Sequence, residues 1–297
     1  MPNNYSLSPS LSGRNLTVDA VLKQPSRIST RIAELTNTQL LVDKFLKPFG
    51  APVQGGAILY TEATAAQMYT TRNLEQRAPG SEYAVVNGER PDPKLAHVED
   101  WGGKFFITDE NRIRNNISDL DDSVTQLSNT IVRKINQRLV DAIEQVLTGP
   151  NVVPGNDWSN VVTVGPPEDL TPNAGRPAAD LAAAQLAADV QELGHRYDTL
   201  ILNPQENYNL SVTYGEGLAA VLESAGITTL FSSPRVAAGT GYVTQYGTAG
   251  TIGFEVPLST EVWREEATRR TWVQCYTVPA IAITNPGAIK KLTGLAG

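Results

Sequence analysis

Cysteine, histidine and surplus positive charge are all scarce in this sequence, and each shortage removes a class of function. Cys275 is the sole cysteine among 297 residues, so no intrachain disulfide can form and a reducing compartment is the simpler setting. His97 and His195 are the only histidines. One lies in a polar stretch and the other at the end of an expected helix, so a metal centre built from both is disfavoured, and a helix-end cation or a capping donor is the plainer role for His195. The formal charge of −7 argues against a surface that grips nucleic acid, because such binding depends on Lys and Arg displacing counterions. Enclosing nucleic acid without holding it stays open. No apolar run is long enough to span a membrane, and the opening MPNNYSLSPSLSGR lacks the basic and apolar regions of a secretory signal. Synthesis and folding in the cytosol are therefore expected.

Catalytic motifs are also missing. There is no G-x-x-x-x-G-K-[ST] to cradle a phosphate and no G-x-S-x-G elbow. The glycine cluster GTGYVTQYGTAGTIG, from Gly239 to Gly253, lacks the spacing of a dinucleotide site and reads as a surface loop. Cys275 sits in WVQCYTV with no neighbouring base or cation to activate it, which makes it a small core residue. Asp121 with Asp122, and Glu265 with Glu266, are adjacent acids that read as solvated charge. Neither an enzyme nor a cofactor site is expected.

What the sequence does have is one long periodic stretch, TDENRIRNNISDLDDSVTQLSNTIVRKINQRLVDAIEQVLTGP, from Thr108 to Pro150. Ile113, Ile117, Leu120, Val124, Leu127, Ile131 and Ile135 step by four and three, which places them on one narrow side of a helix. Thr108 suits an N-cap, Asp109 and Glu110 suit the positive helix end, and Gly149–Pro150 suits a stop. An unbroken helix of about 40 residues, roughly 60 Å long, is expected. Its stripe drifts after Ile131, which fits packing on a sheet better than winding on a twin.

The remaining chain mixes strands and helices without regular alternation, so the class is α+β. Residues 1–24 read as an extended arm outside any core, followed by short helices over 25–34 and 38–46. Residues 55–107 open and close with strands, and PG, NG and PDP turns interrupt a polar middle, as in a thin two-stranded excursion that must rest on its own chain or on a neighbour. Helices are expected over 178–195 and 205–224, the second interrupted at 214–217, and a buried strand over 198–203. FEVPLSTEVW and RTWVQCYTV alternate around the charged tip REEATRR as a long hairpin, and AIAITNPGAIKKL reads as a strand, a turn and a last short helix.

The order of these parts, and above all the ending TWVQCYTVPAIAITNPGAIKKLTG, resembles the major capsid proteins of tailed double-stranded-DNA bacteriophages, with the Hong Kong 97 type fold. The resemblance implies an N-arm over 1–24, a helical segment of the P-domain over 25–55, and an E-loop region over 56–107. It implies a P-domain over 108–174 with its spine helix at 109–149, an A-domain over 175–250, a P-domain hairpin over 251–278, and an A-domain strand and helix over 279–297. The implied function is a structural protein that self-assembles into an icosahedral shell of hexamers and pentamers around the viral genome. It would enclose DNA without sequence-specific binding, reside in the virion and assemble in the host bacterial cytoplasm, with no membrane.

Arm and E-loop would lie across adjacent subunits. That makes Arg72, Arg77, Glu82, Glu89, Arg90 and Lys94 of the excursion, and Arg264, Glu265, Glu266, Arg269 and Arg270 of the hairpin tip, the expected assembly contacts. The tip reads equally well as a soluble turn. Besides itself, the chain would meet a portal and a decoration protein, and a separate scaffolding protein or none. Crosslinking between subunits is not expected. The alternatives are an encapsulin-type compartment shell or a filament protein.

Overall fold

The computed structural model describes residues 11–12, 15–16, 18–37, 40–63, 69–88 and 90–296. Leu11–Ser12 (β1) pairs antiparallel with Asn15–Leu16 (β2), and helices Val18–Leu22 (α1) and Pro25–Asn37 (α2) follow. Here the expectation of an arm running free to residue 24 is corrected. Val18 and Leu22, four apart on one face of α1, are buried beside Ile28, Ile32, Ile107, Leu120 and Val124. Of the second expected short helix, Val42–Phe45 (α3) forms and leads straight into strand Leu46–Pro48 (β3), while residues 38–39 lie outside the described residues.

Strands Ala57–Tyr60 (β4) and Lys94–His97 (β5) pair antiparallel as the base of the excursion, and Trp101–Thr108 (β6) runs from it to the helical stretch. That stretch is not one helix. A short helix, Asp109–Ile113 (α4), is capped by the Thr108 side chain accepting from the Asn111 N–H, and the 30-residue helix Ile117–Val146 (α5) follows a break. The cause is Asn115, whose φ of 52° places it in the left-handed region that Asn tolerates better than most residues. The Asn115 side-chain oxygen accepts a hydrogen bond of 2.9 Å from the Val18 backbone N–H, so α1 occupies the break. At the other end α5 stops at Val146, where Leu147 and Thr148 turn extended, and a 3₁₀ turn, Gly149–Asn151, follows. The rod is therefore about 45 Å rather than 60 Å long.

Strand Val152–Pro154 (β7), helix Pro177–Val190 (α6), strand Thr199–Leu202 (β8), helices Pro204–Tyr214 (α7) and Leu218–Ser224 (α8), and strands Thr229–Ser232 (β9) and Thr240–Thr244 (β10) come next. The long hairpin Gly250–Glu265 (β11) and Arg270–Ala282 (β12) and the strand Ile289–Thr293 (β13) complete the chain. One sheet has the order β7-β13-β10-β8-β9 and another the order β3-β11-β12-β6. α6 is shorter than expected because Glu192 and Gly194 both take positive φ. His195 consequently lies beyond the helix end as a buried residue, its Nδ1 3.3 Å from Gln245 Oε1.

The drift of the stripe now has a physical account. Leu120, Val124 and Ile131 share a core with Ile107, Val273 and Cys275, whereas Leu139, Val140, Ala142 and Ile143 share another with Phe45, Tyr242 and Ile289. α5 thus leaves one sheet and enters the other. The five-stranded sheet shows period-two alternation: Ile201, Tyr242 and Ile289 face α5, while Leu200, Leu202, Val243 and Leu292 face α6 and α7.

Two further expectations are corrected here. The glycine cluster is not a surface loop, since β10 lies in the middle of the five-stranded sheet and Gly250 starts β11. Its glycines answer to close packing: a Cβ on Gly241 would lie 2.6 Å from Leu202 Cδ2, and one on Gly250 would lie 2.1 Å from the Ala282 carbonyl oxygen. The last short helix is instead β13, whose Lys290 is fully buried, its Nζ donating to Asn151 Oδ1 at 2.6 Å and to the Pro150 carbonyl at 3.2 Å. Among the described residues no carboxylate offsets the loss of solvation, and burial pushes the Lys290 amine down to about 8.

Gly250→Ala is expected to cost about 3 kcal/mol or more, because the clash is with rigid backbone; urea unfolding of the variant measures it. Lys290 is protonated in both folded and unfolded chains below pH 8. Its unfolded form alone binds the proton between about 8 and 10.5, so its contribution to stability rises through that window. Denaturant midpoints measured across it are expected to rise in the native chain relative to Lys290→Met.

Candidate assembly surfaces

The hairpin tip is organised around one buried carboxylate. Asp109, 4% exposed, sits at the first position of α4, where β6 ends beside the start of β12. Arg264 grips it with two parallel bonds, Nη1 to Oδ1 at 2.7 Å and Nη2 to Oδ2 at 2.8 Å, the geometry that suits a guanidinium best. Arg269 Nε lies 3.5 Å from Oδ2, and Arg112 lies 3.8 Å from Asp109 and 3.7 Å from Asp19 of α1. Hydrogen bonding from Arg264, ahead of the opposing effect of burial, holds the Asp109 carboxyl below the usual carboxylate range.

The rest of the tip is tied down from within. Glu265 accepts from Thr268 Oγ1 at 2.6 Å and from Trp272 Nε1 at 2.9 Å, and Glu266 pairs with Arg264 at 2.7 Å. Arg270 stacks over Phe106 with its guanidinium carbon 4.5 Å from the ring centre, and Phe106 meets Trp272 edge-on. The structure therefore gathers Arg264, Glu265, Glu266, Arg269 and Arg270 into one cluster, with the side chains of Glu266 and Arg269 at 78% and 64% exposure turned outward. Asp109 carries the cluster. Its adjacency to a cap and its place opposite an arginine-rich tip are the only sequence signals for it.

The excursion is firm at its base and open at its end. Ile58 of β4 and Ala96 of β5 pack on Val53, Ala280 and Ala282, Glu62 pairs with Lys94 at 2.6 Å, and Glu99 pairs with Arg138 of α5 at 2.6 Å. Beyond the base the two limbs touch at the bridge Thr70–Gly88, and the Tyr69 hydroxyl reaches the Glu192 carbonyl. Further out, Leu74, Tyr83 and Val85 are all at least 75% exposed. Arg72 pairs with Glu75 at 2.6 Å, and Arg77 donates to the Ser81 carbonyl while lying over the Tyr83 ring. Glu82 and Arg90 are exposed, and Glu89 lies outside the described residues.

Cys275 is fully buried, burial pushes its thiol up, and its contact is the Thr260 hydroxyl at 3.2 Å. Among the described residues no group of three or more His, Cys, Asp or Glu could hold a metal, and no helix is long and apolar enough to cross a membrane.

A long helix shared by two sheets, a hairpin excursion and a tip hub make up an architecture that solved structures share. The chain is similar to a virus-like particle from Pyrococcus furiosus at 13% identity, covering 90% of this chain and 98% of that one with a TM-score of 0.60. It is similar to the capsid of Myoviridae phage XM1 at 14% identity, covering 88% and 92% with a TM-score of 0.55. The capsid of cyanophage P-SCSP1u gives 14% identity, 85% and 86% coverage, and a TM-score of 0.55. These likenesses give the fold, an α+β capsid fold of the Hong Kong 97 type. The phage capsid protein family matches residues 91–292, and the chain belongs to that family as a structural capsid protein. Among curated proteins none matches it.

Arg264→Met is expected to lower the melting temperature at neutral pH and to lower it by less at pH 3. Asp109 has a folded-state pKa below its unfolded value of 3.8, so its contribution is complete above that value and is lost as pH falls through the lower one. Scanning calorimetry at the two pH values tests this.

Proposed function

We propose that this chain is the major capsid protein of a tailed bacteriophage and assembles with itself, as hexamers and pentamers, into an icosahedral shell around double-stranded DNA. The observation that carries the reading is the excursion, whose outer part displays Leu74, Tyr83 and Val85 to solvent on a ribbon with no core of its own. Burial against a neighbouring subunit supplies what the monomer lacks. Closed symmetry then multiplies several modest contacts into a stable particle.

On this reading the excursion is the E-loop, residues 109–149 contribute the spine of the P-domain, and the five-stranded sheet with α6 and α7 is the A-domain. Arg72, Arg77, Glu82, Glu89, Arg90 and Lys94 are contacts on the E-loop, and Glu266 and Arg269 are the outward groups of the tip, where capsomers meet. Arg264, Glu265 and Arg270 act behind them by holding the tip in shape. The protein resides in the virion after assembly in the host bacterial cytoplasm. A portal and a decoration protein complete the particle, and a separate scaffolding protein or none directs it.

An encapsulin-type compartment is the second reading, favoured by the likeness to the Pyrococcus furiosus particle. Electron microscopy of particles purified from producing cells is expected to show closed angular shells, with DNA as the content of those from infected cells. A protein cargo in place of DNA would favour the compartment, and stable monomers under all assembly conditions would remove both.

A further inference from the structure

Beside the middle of α5, two adjoining clefts of about 490 and 500 Å³ share Arg133 and Arg235 as common walls. Their floor is apolar, made by Leu127, Ile131 and Val132 of α5 with Phe231 of β9. Lys134 stands on the rim, its Nζ 4.1 Å from the centre of the Trp101 ring. Among the described residues no carboxylate lies within 4.0 Å of Arg133, Lys134 or Arg235. Of the nearby acids, Glu99 is taken by Arg138 at 2.6 Å, Asp141 accepts from Gln137 at 2.9 Å, and Asp100 is exposed at the foot of β6. On a chain of net charge −7 this is a positive hollow with an apolar floor.

The complement to that hollow stands elsewhere on the same chain. Between Asn156 and Gly175 there is no Lys or Arg, and Glu168 and Asp169 are exposed with no basic partner among the described residues. The loop that carries them is pinned at its neck, where the Thr171 N–H donates to the Val162 carbonyl at 3.0 Å and the Val162 N–H to Thr171 Oγ1 at 2.9 Å. Thr163 Oγ1 fastens it to the Thr213 carbonyl of α7 at 3.0 Å. Pro166 and Pro167 stiffen the tip, and Val164 is 88% exposed. Such a loop loses little freedom on docking.

We infer that the cleft walled by Arg133 and Arg235 receives the loop bearing Val164, Glu168 and Asp169 from a second copy of this chain. The loop leans on α7, on the opposite side of the five-stranded sheet from α5, so the loop that fills a cleft beside α5 comes from another copy. Each copy then offers one of each, which makes a head-to-tail contact of the kind that closes into rings. Nucleic acid is the poorer occupant. A phosphate backbone gains nothing from a floor of Leu127, Val132 and Phe231, while the loop brings a valine and two prolines to cover it. Because exposed ion pairs are weak, the contact fixes which neighbour and which register more than it adds strength. The inference rests on the shell reading above and names one contact within it.

Reversing the charges tests the pairing. Arg133→Glu with Arg235→Glu, and separately Glu168→Lys with Asp169→Lys, are each expected to raise the protein concentration needed for assembly about tenfold or more, read by sedimentation velocity. Combining all four substitutions is expected to bring it back to within about threefold of native. Circular dichroism and melting curves check that the variants fold. Independently of any variant, zero-length carbodiimide treatment of native particles grown from mixed light and heavy isotope subunits is expected to join Lys134 to Glu168 or Asp169 in mixed pairs. Native particles that assemble but give no such crosslink, or folded swaps that assemble like native, overturn this contact and leave the shell reading standing. Loss of DNA retention from the arginine swap with assembly unchanged would assign the cleft to phosphate and overturn it too. A native chain that forms no oligomer overturns both.

Discussion

A helix with a single narrow apolar stripe must have that stripe covered along its whole length, and here no single partner does it. The first half of α5 is covered by β6, β12, α1 and α2, and the second half by α3 and the five-stranded sheet. Burying Leu139 and Ile143 completely is worth about 1.5–3 kcal/mol each, so neither half is held casually. Both sheets are therefore indexed to one rod, and the angle between them is set by how far the stripe winds around it. Polar residues take part in that indexing. Asn136 is buried on α5 and its side-chain oxygen accepts from the Leu41 N–H at 2.9 Å, which fixes where the α3 segment docks along the helix.

The same logic operates at the start of the rod, with electrostatics in place of packing. Asp109 follows directly on β6, begins α4 and binds Arg264 across the sheet, while Arg112 relates it to Asp19 of α1. Asn115 then turns the chain and takes the first N–H of α1. Arm, hairpin tip and helix entry are thus joined through two side chains six residues apart. The polar stretch RIRNN, which has too little apolar surface to pack, is held by hydrogen bonds instead.

How much of this was legible depends on whether the pattern was local. The stripe from Leu120 to Ile135, the hairpin around REEATRR, the helices at 204–224 and the buried strand TLIL were all readable, because each states its own periodicity within a dozen residues. The break at Asn115 was not, since a left-handed Asn is a small departure that only the docked α1 makes worthwhile. β10 and β13 were misread for a related reason. Glycine at 241 and 250 looks like a turn in sequence, and only the facing Leu202 and Ala282 reveal it as a demand for close approach. Lys290 advertised a solvated helix and instead crosses the sheet to Asn151, a partner far away in the chain. The tip charges were legible as one group in REEATRR, but the carboxylate that organises them was read only as a helix-end acid.

The chain's sole sulfhydryl lies sealed in the first core beside Val273 and Ile107, and burial keeps it in its unreactive form. Every copy therefore presents an outer and inner face free of reactive sulfur. A single cysteine placed at a chosen surface position would be the one chemically addressable point per subunit, repeated with the symmetry of whatever the subunits build. Dyes, gold or peptides attached there would report the spacing and curvature of the array directly.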